Sequence, residues 1–380
     1  MKNVSRIIPC YAADTSGVCS ALYEFGGMVA VHDASGCNST YSTHDEPRWY
    51  DMKSKIYISA LTETDAVLGN DEKLVGDVCR AAAELSPKFI ALCGSPMPMM
   101  TGVDFDALAA EIQSRSGIKT IALHTNGMHS YLAGAAEAFC SLAQGFACKS
   151  GNKIKGGVNI LGATPLDFAL NGSVESIKNW LCEQGFTVVS CFGMKSSLEE
   201  ISHAPSAEVN LVISYSGLST AKYMKSKFGI PYICGVPIGE KFSHTLADAL
   251  KTAISVGDCI YPCTVRSDKT PQTCIIGESV FSGSLAAALN EELEISAGVI
   301  CPLDTEENLL AEGDVRISAE EDIERKLSEN SGISVIADPL YKYILPEETK
   351  FYSLPHYAFS GRSFANEIPN LINRNLKELL

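Results

Sequence analysis

Residues 28–37 read MVAVHDASGC, and this stretch decides how the whole chain is interpreted. A short apolar run leads into a polar segment that contains a glycine and ends at Cys37. Two further cysteines have similar settings, because Cys93 follows the apolar run FIAL and Cys10 follows the run IIP. Loops that leave the same edge of a parallel sheet lie close together, so these three thiols are expected to converge and each to begin a loop. Three converging thiolates can hold an iron–sulfur cluster without the C-x-x-C spacing of small ferredoxins.

Length and composition are those of an ordinary globular protein. The 380 residues, of which 46% are hydrophobic and 20% charged, suffice for two or three α/β domains. The formal net charge of -15 argues against nucleic acid and against an anionic membrane surface as main partners. No apolar run reaches the roughly 18–20 residues that a transmembrane helix needs.

The cellular compartment bears on what the cysteines do. Residues 1–6 contain no apolar stretch of the signal-peptide kind, so we expect a cytoplasmic protein. Thiols stay reduced in the cytosol, and a disulfide framework from the 14 cysteines is therefore not expected. Most of these cysteines are then small buried residues, and a minority are candidates for binding metal.

Short apolar runs alternate with amphipathic helical patterns along the chain. The predicted strands include residues 55–60, 89–92, 119–123, 158–161, 187–190, 210–213, 273–276 and 333–337. The predicted helices include residues 72–85, 105–116 and 176–184. Such alternation is typical of βαβ units, so the sequence predicts an α/β fold with parallel sheets.

Two polar stretches that contain glycine or proline, 149–157 and 266–271, are interpreted as joints between domains. They divide the chain into three units of similar size. The predicted units are a cluster-binding α/β domain at 1–150, a second domain at 151–268 and a third domain with a C-terminal helix at 269–380.

Other cysteines have simpler interpretations. Cys19 shares one face of a predicted short helix with apolar neighbours, which is typical of a core residue. Cys259 and Cys263 form a C-x₃-C pair, for which packing is favoured over metal binding. The three methionines after Cys93 fit a cover over a cluster, a partner contact or plain packing. An alternative keeps the fold but makes every cysteine a core residue of a small-molecule-binding protein.

Several common motifs are absent from the sequence. There is no G-x-x-x-x-G-K-[ST] phosphate loop, which argues against ATP hydrolysis by that route. There is also no G-x-G-x-x-G motif opening a helix and no H-E-x-x-H motif, so dinucleotide and zinc-protease chemistry lack support.

A set of segments in combination resembles one known family. These segments are residues 10–41, 59–69, 93–104, 124–127, 158–162 and 210–232. The chain resembles the nitrogenase component 1 superfamily over nearly its whole length. That superfamily includes the molybdenum–iron protein subunits and their cofactor-scaffold relatives, the dark protochlorophyllide and chlorin reductases, and the reductive cyclase of nickel-tetrapyrrole biosynthesis.

The resemblance implies a fold, a cofactor and partners. It implies three Rossmann-like domains and pairing of subunits as a homodimer or as a heterodimer with a sister chain. It implies an iron–sulfur cluster at the subunit interface, with Cys10, Cys37 and Cys93 as its ligands. Electrons would arrive from a separate ATP-binding iron protein that is related to the nitrogenase reductase, and the missing phosphate loop fits that division of labour.

Two positions depart from the pattern of the nitrogenase catalytic subunit. Ser214 stands where that subunit has the cysteine that holds the molybdenum cofactor, and a hydroxyl is a poor substitute for a thiolate on a soft metal cluster. His356 lies about one position from the family's cofactor-binding histidine. We therefore expect no cysteine-ligated molybdenum cofactor.

These observations lead to a nitrogenase-like reductase that acts on an unknown substrate in a cleft between domains. Facing sets of three cysteines in a dimer would hold one large P-cluster-like cluster or two [4Fe-4S] clusters, with Asp14 or Asp33 as a candidate fourth ligand. Small unsaturated molecules and tetrapyrroles both remain open as substrates. Candidate residues for the interdomain cleft are Ser214, Tyr215, His244 and His356. The alternative function is a cluster-assembly scaffold without turnover.

Overall fold

The computed structural model describes residues 6–7, 10, 12–34, 46–148, 152–266, 269–329 and 332–378. Cys37, and parts of both predicted domain joints, lie outside these residues. The described strands form three sheets in which neighbouring strands run parallel. The predicted α/β class with parallel sheets is therefore confirmed.

The first sheet has the order β2-β1-β3-β4. Its strands are β1 (Met28–His32), β2 (Ile56–Ile58), β3 (Ile90–Gly94) and β4 (Thr120–Leu123). The accompanying helices are α1 (Asp14–Leu22), α2 (Glu63–Leu68), α3 (Asp71–Leu85), α4 (Pro96–Thr101), α5 (Phe105–Ser116) and α6 (Tyr131–Phe146). A 3₁₀ helix at Pro47–Tyr50 precedes β2.

The second sheet has the order β6-β5-β7-β8. Its strands are β5 (Gly157–Ala163), β6 (Thr187–Gly193), β7 (Val209–Val212) and β8 (Tyr232–Cys234). The accompanying helices are α7 (Pro165–Phe168), α8 (Ser173–Glu183), α9 (Leu198–His203), α10 (Leu218–Phe228) and α11 (Glu240–Val256). The 3₁₀ helices here are Ala204–Ser206, Tyr215–Gly217 and Pro262–Thr264.

The third sheet has the order β11-β10-β9-β12-β13. Its strands are β9 (Thr273–Ile276), β10 (Ala297–Cys301), β11 (Val315–Arg316), β12 (Ser334–Ala337) and β13 (Phe351–Ser353). The accompanying helices are α12 (Ser279–Leu293), α13 (Glu320–Ser328) and α14 (Tyr357–Ser360). The 3₁₀ helices are Glu307–Leu309, Pro339–Ile344, Gly361–Glu367 and Leu376–Glu378.

Each sheet draws its strands from one of the three predicted units. The division into 1–150, 151–268 and 269–380 stays a prediction. The expected C-terminal helix corresponds to the 3₁₀ helix at Leu376–Glu378, where the described residues end.

Helices α1 and α6 pack with their backbones in direct contact. A Cβ atom on Gly17 would lie 1.9 Å from the Tyr131 carbonyl oxygen, and one on Gly134 would lie 1.9 Å from the Asp14 carbonyl oxygen. Only glycine permits so close an approach. The contact fixes the amino end of α1 against the start of α6, and both ends carry residues of the candidate sites.

No helix in the described part of the chain is both long and apolar enough to cross a lipid bilayer.

Candidate functional site

Cys93 lies inside β3, between two strands that pair on either side of it. It is in register with Val31 of β1 and Leu123 of β4, and its side chain is fully buried. The sequence predicted that Cys93 begins a loop, and this detail is wrong. The pairing with β1 continues to His32 and Gly94, so the strand extends two residues further than the apolar run.

The end of β3 is held by two threonine hydroxyls. Thr15 Oγ1 donates to the Gly94 carbonyl at 3.0 Å, and Thr125 Oγ1 donates to the same oxygen at 2.7 Å. The Gly94 N–H donates in turn to Thr125 Oγ1 at 3.0 Å. Because Thr15 lies in the first turn of α1, these bonds place Cys93 beside the amino end of that helix.

Cys10 lies four residues before α1, outside regular secondary structure, and is half-buried. Its Sγ donates to the Ala12 carbonyl at 3.5 Å. Its side chain packs against a hydrophobic cluster that includes Tyr131 and Cys301. Cys10 thus approaches the amino end of α1 from the side of α6.

The chain segments that carry Cys10 and Cys93 both lie near the amino end of α1. Their side chains, however, pack in two different clusters. Cys93 packs in the main core with Cys19, whereas Cys10 packs with the residues around Tyr131. Within the described ranges, no three His, Cys, Asp or Glu side chains gather closely enough to hold a metal ion. Since Cys37 lies outside those ranges, the three-cysteine site stays a prediction.

Burial favours the protonated form of the Cys10 and Cys93 thiols at neutral pH. Burial raises the pKa of Cys10 to about 12, and burial followed by the charges of Cys19 and Asp14 raises the pKa of Cys93 well above its usual range. Metal must therefore displace a proton from each sulfur when it binds. Buried thiolates beside the positive end of a helix suit a soft, anionic iron–sulfur cluster, so the donor chemistry fits the implied cofactor.

The two candidate carboxylate ligands already hold loops in place. Asp14 accepts hydrogen bonds from the backbone N–H groups of Asn126 at 2.9 Å and Gly127 at 2.8 Å. Asp33 Oδ1 accepts from the hydroxyl of Ser95 at 2.5 Å. Asp14 therefore anchors the loop after β4 to α1, and Asp33 joins the ends of β1 and β3.

His32 ends β1 and is buried next to Ser59. Its Nδ1 lies 2.8 Å from Ser59 Oγ, and its ring meets Phe105 edge to face at 6.4 Å. Burial lowers the pKa of His32, although nearby carboxylates such as Asp71 oppose this shift. The native protein therefore favours the neutral imidazole.

Replacing His32 with glutamine is expected to make the free energy of unfolding depend less on pH between pH 7 and pH 5. The depressed pKa means that the unfolded chain takes up the proton first as the pH falls below about 6.5. The wild-type free energy of unfolding should therefore fall more steeply from pH 7 to pH 5, measured by urea denaturation, than that of His32→Gln.

His124 provides a control of opposite sign. Hydrogen bonds that the His124 ring donates to Glu137 and Asp106 raise the pKa of His124, so it stabilises the native state at low pH. His124→Gln should steepen the loss of stability on acidification. Equal slopes for wild type and His32→Gln would contradict the assignment of His32.

A second group of polar residues lines a cleft between the second and third sheets. Asp167 follows β5, Glu278 follows β9 and His356 follows β13. The carboxyl ends of parallel strands are the usual place for ligands in α/β folds. All three residues line a small cavity of about 30 Å³ in this cleft.

The Asp167 carboxylate contacts side chains from the parts of the chain that form each of the three sheets. The Tyr131 hydroxyl of α6 donates to Asp167 Oδ1 at 2.5 Å, and the Thr164 hydroxyl donates to Oδ2 at 3.1 Å. His356 Nε2 lies 3.6 Å from Asp167 Oδ1. The other ring nitrogen, Nδ1, accepts the Ala358 backbone N–H at 3.2 Å, so the neutral ring carries its proton on Nε2.

Glu278 caps the amino end of α12. Its carboxylate accepts the backbone N–H groups of Tyr215, Val280 and Phe281 at 2.8–3.0 Å. Burial, reinforced by the charge of Asp167, raises the pKa of Glu278 to about 7 against these donors. The cleft therefore concentrates acidic groups.

The residues proposed from sequence for the interdomain cleft separate into two groups. His356 lines it, whereas His244 is exposed on α11. Ser214 is buried, and its hydroxyl accepts from the Ser216 N–H at 3.3 Å. Tyr215 is half-buried and contributes its backbone N–H to Glu278.

Asp167 and Glu278 were missed by sequence reasoning, although a signal existed. Each acidic residue follows an apolar strand by a few residues and lies at the start of a helix, Glu278 as the N-cap of α12 and Asp167 in the first turn of α7 after the N-cap Thr164. Tyr131 had no comparable signal, because its hydroxyl reaches Asp167 only after α6 has packed.

Comparisons with known proteins agree with this architecture. A family model described as nitrogenase component 1 type oxidoreductase matches residues 14–266. The chain is 31% identical over 209 residues to the nitrogenase iron-molybdenum cofactor biosynthesis protein NifE of Clostridium pasteurianum, covering 53% of this chain and 44% of that protein. It is 36% identical over 83 residues to a subunit of the light-independent protochlorophyllide reductase of Prosthecochloris aestuarii, covering 22% and 16% respectively. The chain thus spans less than half the length of these curated relatives.

A solved structure shares the fold over nearly the whole chain. The structure of nitrogenase Cp1 at pH 6.5 superposes with a TM-score of 0.67, covering 98% of this chain and 94% of that one. The two sequences are 16% identical, so this likeness concerns the fold alone.

Proposed function

The chain belongs to the family of nitrogenase component 1 type oxidoreductases, and on that basis we propose that it is the catalytic component of a two-component reductase. Cys10, Cys37 and Cys93 would hold an iron–sulfur cluster, either a [4Fe-4S] or a larger P-cluster-like one, which supplies one-electron transfer. The substrate would bind in a cleft between domains. The electron donor would be an ATP-binding iron protein of the nitrogenase reductase kind.

The family match over residues 14–266 carries this proposal. The matched part includes Cys37 and Cys93 together with the acidic wall of the cleft at Asp167. The structure adds support, because Thr15 ties the strand of Cys93 to the helix that Cys10 precedes. The absence of a phosphate loop from the sequence suits a protein that receives its electrons from a separate ATPase.

The proposal includes an assembly partner. A homodimer, or a heterodimer with a sister subunit, would complete the cluster site at the subunit interface. The net charge of -15 argues against nucleic acid as a partner. We propose no cysteine-ligated molybdenum cofactor. Ser214 is buried and its hydroxyl accepts a hydrogen bond from the Ser216 N–H, and both ring nitrogens of His356 face protein groups.

A second candidate function is an assembly scaffold that receives a cluster and passes it on. The similarity to NifE, a cofactor biosynthesis protein, favours this candidate. The two functions differ in what becomes of the cluster, because a scaffold releases it whereas a reductase keeps it through many cycles.

Electron delivery tests the proposal. The anaerobically purified chain should show bleaching of its cluster absorption when a nitrogenase-reductase-like iron protein and ATP are both present. Omission of ATP, or its replacement by ADP, should leave the absorption unchanged. If ATP gives no reduction and the cluster instead moves to an iron-free acceptor protein, the scaffold function replaces the reductase.

A further inference from the structure

A pocket that the proposed function does not use lies where parts of the chain from all three sheets meet. Its walls come from the 3₁₀ helix Pro47–Tyr50, from residues 169–171 after α7 and from residues 357–368 after β13. Its volume is about 500 Å³, which lies within the range of small-molecule sites. The pocket is therefore large enough for a ligand with one or two rings.

Hydrogen bonds hold the walls of this pocket in place. Asn171 Nδ2 donates to the carbonyls of Ile368 at 3.2 Å and Pro369 at 3.1 Å, which ties the second wall to the third. Arg48, in the first wall, donates from Nη2 to the Ser20 carbonyl of α1 at 2.6 Å. The walls are thus fixed by the fold, and a preformed pocket lowers the entropic cost of binding.

Much of the lining is apolar and in contact with water. The side chains of Tyr50 and Leu170 are large, and these residues are 66% and 51% exposed. Tyr357 and Ile368 continue the apolar lining on the opposite wall. An apolar ligand that covered these side chains would be stabilised by the hydrophobic effect.

One lining residue has a strained backbone. Ala169 has φ 50° and ψ -158°, a conformation that glycine adopts readily and that a Cβ atom disfavours. Strained residues of this kind are frequent at ligand sites. The strain lies directly before Leu170, so the fold maintains this wall of the pocket against an unfavourable conformation.

The pocket also offers hydrogen-bond donors without a partner. Arg362 and Asn366 are exposed and line the pocket, and neither side chain has a hydrogen bond or ion pair with the part of the chain that the structure describes. The described lining residues include no Asp and no Glu, although the chain as a whole has a net charge of -15. A guanidinium is positively charged at neutral pH and matches a carboxylate with two parallel hydrogen bonds.

We propose that this pocket binds an apolar molecule that carries one carboxylate group, with Arg362 and Asn366 as donors to the carboxylate and Tyr50 and Leu170 against the apolar part. The apolar part would exclude water from the ion pair and so strengthen it. A cationic ligand would meet the Arg362 guanidinium with no acidic group in the described lining to offset it. The inference goes beyond the proposed function, because this binding requires neither iron nor electron transfer.

Three probes that share a naphthalene ring and differ in their head group test the inference. Naphthoate, naphthalenemethanol and naphthylmethylammonium, all substituted at the same ring position, are titrated into the purified full-length chain by calorimetry. We expect naphthoate to bind most tightly and naphthylmethylammonium least tightly. Arg362→Gln should weaken naphthoate binding about tenfold or more and leave naphthalenemethanol little changed.

The control variant removes an arginine elsewhere. Arg374 is exposed on the C-terminal segment and does not line the pocket. Arg374→Gln should leave all three affinities unchanged. A preference for naphthoate that survives Arg362→Gln would overturn the assignment to this pocket.

A second variant tests the apolar wall independently of Arg362. Leu170→Ser should weaken the binding of all three probes by a similar factor, because it removes apolar contact and no charge. Unchanged affinities in Leu170→Ser would contradict the proposal. Equal affinities of the wild type for the three probes, no binding of any probe, or tightest binding of the ammonium compound would overturn it as well.

The proposed function fails separately. If the anaerobically purified protein lacks iron, the reductase function falls, while a preference for naphthoate that depends on Arg362 still establishes the ligand class of the pocket.

Discussion

Replacing Arg48 with methionine is expected to lower the free energy of unfolding by about 3–5 kcal/mol. The Arg48 guanidinium donates from Nε to Glu46 Oε1 at 2.6 Å and from Nη1 to Glu24 Oε1 at 2.9 Å. It also donates from Nη2 to the Ser20 carbonyl at 2.6 Å and lies 4.7 Å from the centre of the Tyr23 ring. Methionine would fill similar space but leave the buried carboxylates of Glu46 and Glu24 unpaired.

The loss should follow from burial. The side chain of Arg48 is 4% exposed, and those of Glu24 and Glu46 are 9% and 2% exposed. Water therefore cannot replace the guanidinium as a partner of the two carboxylates. Urea denaturation at pH 7 measures the free energy of unfolding of wild type and Arg48→Met.

An exposed ion pair serves as the matched control. Arg80, which pairs with Asp77, is 70% exposed, and such pairs contribute about 0–1 kcal/mol. Arg80→Met should therefore have little effect on the free energy of unfolding. A loss for Arg48→Met no larger than for Arg80→Met would show that the buried network does not stabilise the fold.

The Arg48 network also joins two parts of the molecule. The second carboxylate oxygen of Glu24 accepts the backbone N–H of Lys195 at 2.7 Å, which lies just after β6. A substitution at Arg48 therefore acts on the contact between the first and second sheets as well as on α1. Nothing in the sequence indicated this connection, since 171 residues separate Glu24 from Lys195.

The strands were predictable from sequence where they are short apolar runs buried on both faces. β3, β5 and β9 match the predicted runs closely, because parallel strands in a covered sheet need apolar side chains throughout. β8, β10, β11 and β13 are absent from the predicted strands; β8, β11 and β13 have only two or three residues each, whereas β10 has five. α12 was missed for another reason, because most of its faces are buried and it lacks the amphipathic period that marked α3 and α5.

The candidate sites were predictable only in part. Cysteines that follow apolar runs could be singled out by position alone, and Cys19 was correctly interpreted as a core residue. The extension of β3 past Cys93 depends on pairing with β1, which no local pattern reveals. Likewise, the contact of Tyr131 with Asp167 joins α6 to α7 and arises only from tertiary packing.

Replacing any one of Cys10, Cys37 and Cys93 with alanine is expected to abolish the bound cluster. A four-iron cluster requires a thiolate or comparable ligand on each iron atom, so loss of one of three cysteine ligands should destabilise it. The substitution removes a small side chain, so the fold should survive. Circular dichroism of each variant checks that survival.

An exposed cysteine provides the control for this series. Cys148 is exposed and lies beyond α6, away from the amino end of α1. Cys148→Ala should keep the full iron content and the visible absorption of the wild type. Partial loss in one of the three variants would indicate that its position is filled by another ligand.

The most direct measurement is the iron and acid-labile sulfide content per chain of the anaerobically purified protein, with Cys10→Ala, Cys37→Ala, Cys93→Ala and Cys148→Ala alongside it. We predict iron and sulfide in the wild type and in Cys148→Ala, and their loss in the other three variants. Absence of iron from the wild type, or an unchanged iron content in all three variants, would contradict the assignment of a cluster to these cysteines.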